Sequence, residues 1–281
     1  MHLLFNKIRN DIRFKLKNYK AIAIWGAGGF GKKALTQWLT NTENIRVVVD
    51  NKKYRGLGFL GYSVISPSKF LEEEFDCVII CVSAYKEVFK YLKDNQYGGT
   101  YYYILDLLNY DQNQNELDKL AIDLLIQKNT GWFETFLLKP QVLVNVTYRI
   151  SRFLRKKSLL YPLSYPIRLI HSLLTAFFSI HIPDTVEAGP GLFFVHYGGI
   201  VIHPNANLGA FCTIYQGVTI GSNYSGQIPS IGAFVTFYSG SMVLGSSYLP
   251  DYTTIGANSV VIDTKCDQPY KTLVGTPARI L

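Results

Sequence analysis

Two groups of residues in this chain have types and spacings that could do chemistry. The first is the histidines: His2, His171, His181, His196 and His203. An imidazole with an ordinary pKa of about 6.5 is mostly neutral at cellular pH and can take a proton from a hydroxyl. His2 is terminal and His171 falls in an apolar, helical stretch, whereas His196 stands in FVHYGGIVI. The second group is Gly26, Gly28 and Gly31, which follow the strand-like AIAIW and precede a helical pattern, with Asp50 further on. Glycines at that spacing let a phosphate approach a helix N-terminus, and a carboxylate about 20 residues later can take ribose hydroxyls. Cys77, Cys81, Cys212 and Cys266 form no metal or disulfide pattern, which fits a reduced setting.

The element that must position His196 is the stretch from about residue 186 to the end. Aliphatic and aromatic residues recur at Ile202, Leu208, Ile214 and Ile220, then at Ile231, Phe237, Val243, Leu249, Ile255 and Val261. Every step is six except the one from Ile220 to Ile231, which carries an insertion. A beat of six fits neither a helix nor an alternating strand, but it does fit a parallel β-helix of three short strands per coil. The repeated residue then points inward and stacks on its copies. Gly209, Gly221, Gly232 and Gly256, each just after it, are expected to give the backbone freedom at the corners. Phe237–Tyr238 and Leu249–Pro250 break that pair and leave the local coil shape open. The step from Phe194 to Ile202 is eight, so this coil is expected to bulge and expose a side chain, with His196 inside it.

The segments AGPGLFFVHYGGIVI (188–202), IYQGVTIG (214–221), IGANSVV (255–261) and VGTPARIL (274–281) resemble bacterial serine acetyltransferases and the polysaccharide O-acetyltransferases close to them. The resemblance covers roughly residues 135–281. It implies a left-handed β-helix, acetyl transfer from acetyl-CoA to a hydroxyl with no metal, and His196 as the catalytic base. It also implies a homotrimer with the CoA arm along an outer edge between neighbouring subunits; whether trimers pair further stays open. The family's contacts to CoA fall on Gly221, Ser239 and Ala257, with Lys271 and Arg279 near enough to the end to meet nucleotide phosphates.

Three departures bear on the acceptor. The family's aspartate before the base is Val195 here, its R-H-P segment is Gln227–Ile228–Pro229, and an aspartate fifteen residues ahead of the base is His181. Free serine is therefore not the expected acceptor, and the short loop 222–229 is more similar to capsule, exopolysaccharide and lipopolysaccharide enzymes. A backbone carbonyl or Asp184 is left to orient His196, and His181 and His203 are candidates to line the acceptor pocket.

The N-terminal part alternates strand and helix from Lys20 to about Leu108, which reads as a parallel, Rossmann-like α/β layer. The run 48–67 resembles the small N-terminal domain of nucleotide-sugar acyltransferases, which implies a nucleotide-sugar or similar phosphate ligand at Gly26, Gly28, Gly31 and Asp50. A domain kept for assembly, with a vestigial loop, is the other reading. Residues 1–18 put Leu3, Leu4, Ile8, Ile12 and Leu16 on one side of a basic helix, expected to pack rather than to lie on a membrane. The organisation expected is thus 1–108 α/β, 109–180 helical connector broken by Pro140, Pro162 and Pro166, and 181–281 β-helix. The connector's leucines and aromatics are read as packing.

With 281 residues, 48% hydrophobic and 17% charged, the chain is a globular one with room for two domains. Its net charge of +8 gathers at Lys7, Arg9, Arg13, Lys15, Lys17 and Lys20, and at Arg149, Arg152, Arg155, Lys156, Lys157 and Arg168. Such patches fit anionic lipid, an acidic glycan or nucleotide phosphates, or a solvated surface. No reading motif for nucleic acid accompanies them. There is no signal peptide and no run of roughly 18 apolar residues, so the chain is expected in the cytoplasm, with contact at the inner membrane face open. The expected activity is O-acetylation of a sugar hydroxyl of a surface polysaccharide or its precursor. The alternatives are N-acetylation of a nucleotide-linked amino sugar, serine O-acetylation, and a non-catalytic trimeric ligand-binding scaffold.

Overall fold

A computed structural model describes residues 2–28, 31–32, 34–40, 42–50, 58–82, 85–108, 115–127 and 139–281. Loop residues 29 and 30, the segment 51–57 and most of the expected polar boundary after 108 lie outside the described residues. The chain divides into two compact units, Met1–Asn109 and Tyr110–Leu281.

The first unit is a parallel α/β layer. Its strands are β1 (Ile22–Trp25), β2 (Ile45–Val49), β3 (Gly58–Phe59), β4 (Tyr62–Ile65), β5 (Cys77–Ile80) and β6 (Thr100–Tyr103), in the order β3-β4-β2-β1-β5-β6. All neighbours are parallel except β3 and β4, which form a hairpin. The central β1 and β5 are fully buried, which is why IAIW and CVII read as unbroken apolar runs. Helix α1 (His2–Leu16) packs within its unit, with Ile8, Ile12 and Leu16 buried. Helices α2 (Pro67–Glu72) and α3 (Tyr85–Asp94) follow, α2 capped by the Ser66 hydroxyl, which accepts from the Lys69 N–H at 3.1 Å.

The second unit opens with α4 (Glu116–Gln127), α5 (Pro140–Arg155) and α6 (Tyr161–Phe178). Pro140 and Pro162 stand at helix starts, where a missing N–H costs nothing. Pro166, expected to break the connector, lies inside α6. It falls one turn past the start, so the helix forfeits only one early hydrogen bond and continues.

From Ile180 onward the backbone winds into a three-sided parallel coil. One face stacks Ile180–His181, Ile200–Ile202, Thr219–Gly221, Met242–Leu244 and Val260–Ile262. The second stacks Glu187–Ala188, Asn207–Leu208, Ser230–Ile231 and Tyr248–Leu249. The third stacks Phe193–Phe194, Thr213–Ile214, Thr236–Phe237, Thr254–Ile255 and Thr272–Val274, and the antiparallel Arg279–Ile280 closes it. The six-residue beat is the core column: Ile202, Leu208, Ile214, Ile220, Phe237, Val243, Leu249, Ile255 and Val261 are all buried together. The small residues four places on (Cys212, Val218, Val235, Thr253 and Ser259) also point inward. Phe237 keeps register with the coils on either side and Leu249 with the coil before it, beyond which the second face continues only as a single bridge between Tyr248 and Lys265.

The corners are not built as the glycine spacing suggested. Gly209, Gly221, Gly232 and Gly256 have no positive φ. Gly209 and Gly232 are small because the next coil passes too close: a Cβ on Gly209 would come within 2.3 Å of the Gly232 carbonyl carbon. The left-handed turn comes three residues after the core residue, at Phe211, Gly217, Phe234, Gly240, Tyr252 and Asn258.

Candidate active site

The corner between the third and first faces carries the expected base. His196 comes two residues after core residue Phe194, just as Ser239 comes two after Phe237 and Ala257 two after Ile255. The three therefore line one corner of the coil, with the Tyr215–Gln216 coil between those of His196 and Ser239, and the Asn258 N–H donates to the Ser239 carbonyl at 2.9 Å to tie the last two coils together. At the His196 coil the corner is widened by Gly198 and Gly199, with φ of 107° and 66°. His196 is exposed as a result. Its ring meets Tyr215 edge-on with centroids 6.2 Å apart, and Tyr215 stacks on Tyr238 at 5.1 Å. This tyrosine ladder beside the base was not read from the sequence; its signal was an aromatic residue directly after the core position in both coils.

The remaining candidates are spread more widely. Gly221 ends a strand of the first face and pairs with Leu244. Lys271 immediately precedes the last strand of the third face, and the exposed Arg279 lies in the closing strand. His181 is exposed on the first face, where it pairs with Val201, and it lines a groove of about 310 Å³ with Ser172, Thr175 and Ser179. His203 Nδ1 accepts from the Asn205 N–H at 3.2 Å. His171 is a structural histidine: it is buried between Thr147 and the Ile182 carbonyl, and burial lowers its pKa.

Asp184 does not orient His196 within the subunit. Ser151 donates to its carboxylate at 2.8 Å, and Arg168 and Arg155 pair with it at 3.2 and 3.5 Å. What holds the backbone next to His196 comes from α5, since the Gln141 amide donates to the Val195 carbonyl and the Asn145 amide to the Leu192 carbonyl.

The largest departure from expectation is the basic cluster at 149–168. Arg149 and Arg152 are buried within the second unit and do not face solvent. Arg149 pairs with Asp123 and Glu116 and donates to the carbonyls of Ala188 and Gly189. Arg152 pairs with Glu116 and Glu187 and donates to the Asp184 and Val186 carbonyls. A guanidinium has five donors in a fixed fork, so each arginine can hold carboxylates and coil carbonyls at once. The leucines and aromatics of α6 are a second departure. Leu163, Leu169, Ile170, Leu173 and Phe177 are exposed and do not pack.

In the first unit, Gly26 and Gly31 are dictated by tight packing: a Cβ on Gly31 would lie 1.9 Å from the Gly26 carbonyl oxygen. Gly28 has open space among the described residues. The Asp50 carboxylate accepts from the Ala27 N–H at 3.0 Å, and with Gly26, Trp25, Glu87 and Tyr91 it lines a cavity of about 320 Å³. The four cysteines are free and buried, and burial pushes the Cys77 and Cys212 thiols up to about 12. Among the described residues no helix is long and apolar enough to cross a membrane.

Residues 17–100 match the family model described as C2185-like, N-terminal. The C-terminal part is similar to serine acetyltransferases. The protein from Staphylococcus epidermidis is 37% identical over 117 residues, 41% of this chain and 54% of that one. The protein from Helicobacter pylori is 32% identical over 153 residues, 53% of this chain and 85% of that one. The chain thus spans about half the length of the staphylococcal relative and most of the Helicobacter one. Among solved structures, a serine acetyltransferase in complex with CoA superposes with a TM-score of 0.51 at 26% identity, over 60% of this chain and 71% of that one. The soybean serine acetyltransferase apoenzyme gives 0.51 at 26%, over 59% and 69%.

Proposed function

This chain belongs to the serine acetyltransferase family, and on that premise we propose that its second unit transfers acetyl from acetyl-CoA to a hydroxyl group. The observation that carries this reading is the exposed His196 at a widened corner of the coil, in line with Ser239 and Ala257. A ring nitrogen of His196 takes the hydroxyl proton as the oxygen attacks the thioester carbonyl. The tetrahedral intermediate then collapses, the C–S bond breaks, and the imidazolium returns its proton to the departing thiolate. The small side chains at Gly221, Ser239 and Ala257 leave room for the pantetheine arm against the backbone, and Lys271 and Arg279 are the cations for its phosphates. The arrangement we propose is a trimer with that arm between neighbours, in the cytoplasm.

Free serine is the acceptor that the relatives' names support, and they support it better than a polysaccharide. One observation of this chain favours the sugar reading instead. The groove beside His181 is lined by the hydroxyls of Ser172, Thr175 and Ser179 together with Ala176, Ile200 and Val201, and Asp184, which lines the adjoining cavity with His181 and Arg168, is already paired with Arg155, Arg168 and Ser151 rather than left to meet a serine ammonium group. A neutral sugar, with hydroxyls along its edge and an apolar ring face, suits such a mixed groove. Mass spectrometry of products from acetyl-CoA with L-serine, with surface oligosaccharides and with amino-sugar nucleotides separates the readings. O-acetylserine establishes the first and an O-acetylated glycan the second. An N-acetylated nucleotide sugar, lost on changing Asp50, assigns the ligand of the glycine loop. No product at all, with no thermal shift on adding acetyl-CoA, returns the non-catalytic scaffold.

A further inference from the structure

Helix α6 carries more apolar surface than its own fold uses. Ser164, Ile167, His171, Leu174 and Phe178 follow one another at steps of three and four and face inward, with Leu174 and Phe178 against the coil core. One residue earlier, Leu163, Pro166, Ile170, Leu173 and Phe177 make a second stripe at the same steps, and this one is exposed, with Leu169 and Ala176 beside it. Phe177 is 81% exposed, and Leu159 just before the helix is 90% exposed. Neither the coil nor α5 covers this stripe.

The charge around it is one-sided. Between residues 139 and 183 there are seven lysines and arginines and no aspartate or glutamate. Glu116, Asp123, Asp184 and Glu187 pair with five of these cations and with Lys119. Four carboxylates against six cations leave a positive surplus. Lys157 adds to it and has no carboxylate partner among the described residues. Arg155, Lys156 and Lys157 sit at the N-terminal end of α6, next to Leu159 and to the Tyr161–Tyr165 pair, whose rings meet at 5.5 Å. A second copy paired about a two-fold axis would bring the same surplus against itself, whereas a surface of anionic headgroups would neutralise it.

We propose that α6 docks on a lipid bilayer bearing anionic headgroups, its outer stripe among the acyl chains and Arg155, Lys156 and Lys157 among the phosphates. An amphipathic helix with a cationic end and tyrosines at the boundary lies in the interface in this way. The chain rests on the membrane and does not span it. This inference is independent of which hydroxyl is acetylated.

The test is co-sedimentation of the full chain with vesicles of phosphatidylcholine alone and of an equal mixture of phosphatidylcholine and phosphatidylglycerol, with light scattering of the free protein alongside. The wild-type protein is expected to bind the mixed vesicles. Leu169→Glu with Leu173→Glu, at two exposed sites, is expected to weaken binding roughly tenfold or more while leaving the melting temperature unchanged. Lys156→Gln with Lys157→Gln is expected to weaken binding to the mixed vesicles only. Absence of wild-type binding overturns the proposal, as does equal binding by the Leu169/Leu173 variant, which would move the contact to another element such as α1. Dissociation of an oligomer by that variant, with no vesicle binding by either protein, would show that a second copy covers the stripe and equally overturns it.

Discussion

The Nε of Arg149 lies 2.8 Å from the Asp123 carboxylate, with both side chains fully buried, and this pair fastens α4 and α5 to the start of the coil. The other Asp123 oxygen accepts from the Gly191 and Leu192 N–H groups, five and four residues before His196. One carboxylate therefore neutralises a buried guanidinium and pins the backbone leading to the candidate base. Removing only the cation leaves the Asp123 carboxylate in the interior without its counter-ion, whereas Glu116 keeps Arg152, Lys119 and Lys156. Arg149→Met is expected to cost about 3–5 kcal/mol in urea unfolding. A variant that unfolds with less than about 1 kcal/mol of loss would show that water reaches this site and that the clamp is not structural.

Glu116 gives the same cluster a pH dependence. Burial alone would raise its carboxyl, but Arg149, Arg152, Lys119 and Lys156 outweigh that and hold it at about 2. A folded pKa below the unfolded one stabilises above the unfolded value and loses that contribution as pH falls. The loss should therefore run from about pH 5 down to about pH 2, and amount to about 3 kcal/mol. Unfolding measured across that window on the wild type and on Glu116→Gln checks it, since the variant should be less stable at pH 7 and show a flatter slope below pH 5.

How far the fold and site were legible follows from what repeats. Core residues such as Ile214 and Ile255 share one register, so their six-residue spacing shows in the sequence. The eight-residue step around His196 likewise showed as a break in the beat. Arg149 could not be read in this way. It sits 26 residues from Asp123 and 33 from Glu116, and a buried cation looks like a surface one until its partners are placed beside it. Spacing in α6 shows two apolar stripes but not which of them the rest of the chain covers.

The corner aromatics were also missed, because a left-handed turn normally calls for glycine or asparagine. Phe211, Phe234, Tyr252 and Tyr270 take φ between 56° and 62° and stack along one corner with centroids 4.6 to 4.8 Å apart. Stacking on both neighbours offsets backbone strain of about 1–2 kcal/mol per residue. Phe234→Ala removes the middle of the column and keeps the strain, so it should destabilise by about 3–5 kcal/mol. Phe234→Gly also loses the stack but relaxes the turn, and it should come out about 1 kcal/mol more stable than the alanine variant. The reverse order in thermal or urea unfolding would mean that the ladder does not hold the turn.

Among the described residues no carboxylate pairs with His196, and its ring meets that of Tyr215 edge-on. If it is the base, His196→Ala should lower kcat by about 10²- to 10⁴-fold while acetyl-CoA still shifts the melting temperature. Tyr215→Phe keeps the edge-on ring and removes only the hydroxyl. It should leave kcat within about threefold, whereas Tyr215→Ala frees the imidazole to rotate and should lower kcat at unchanged acceptor KM. Asp184→Asn is the control that separates stability from chemistry, because its partners are Ser151, Arg155 and Arg168. It should lower the melting temperature and leave the pH dependence of kcat/KM where it was. A shift of that profile would place Asp184 in contact with the base during turnover, and full activity in His196→Ala would remove His196 from the reaction.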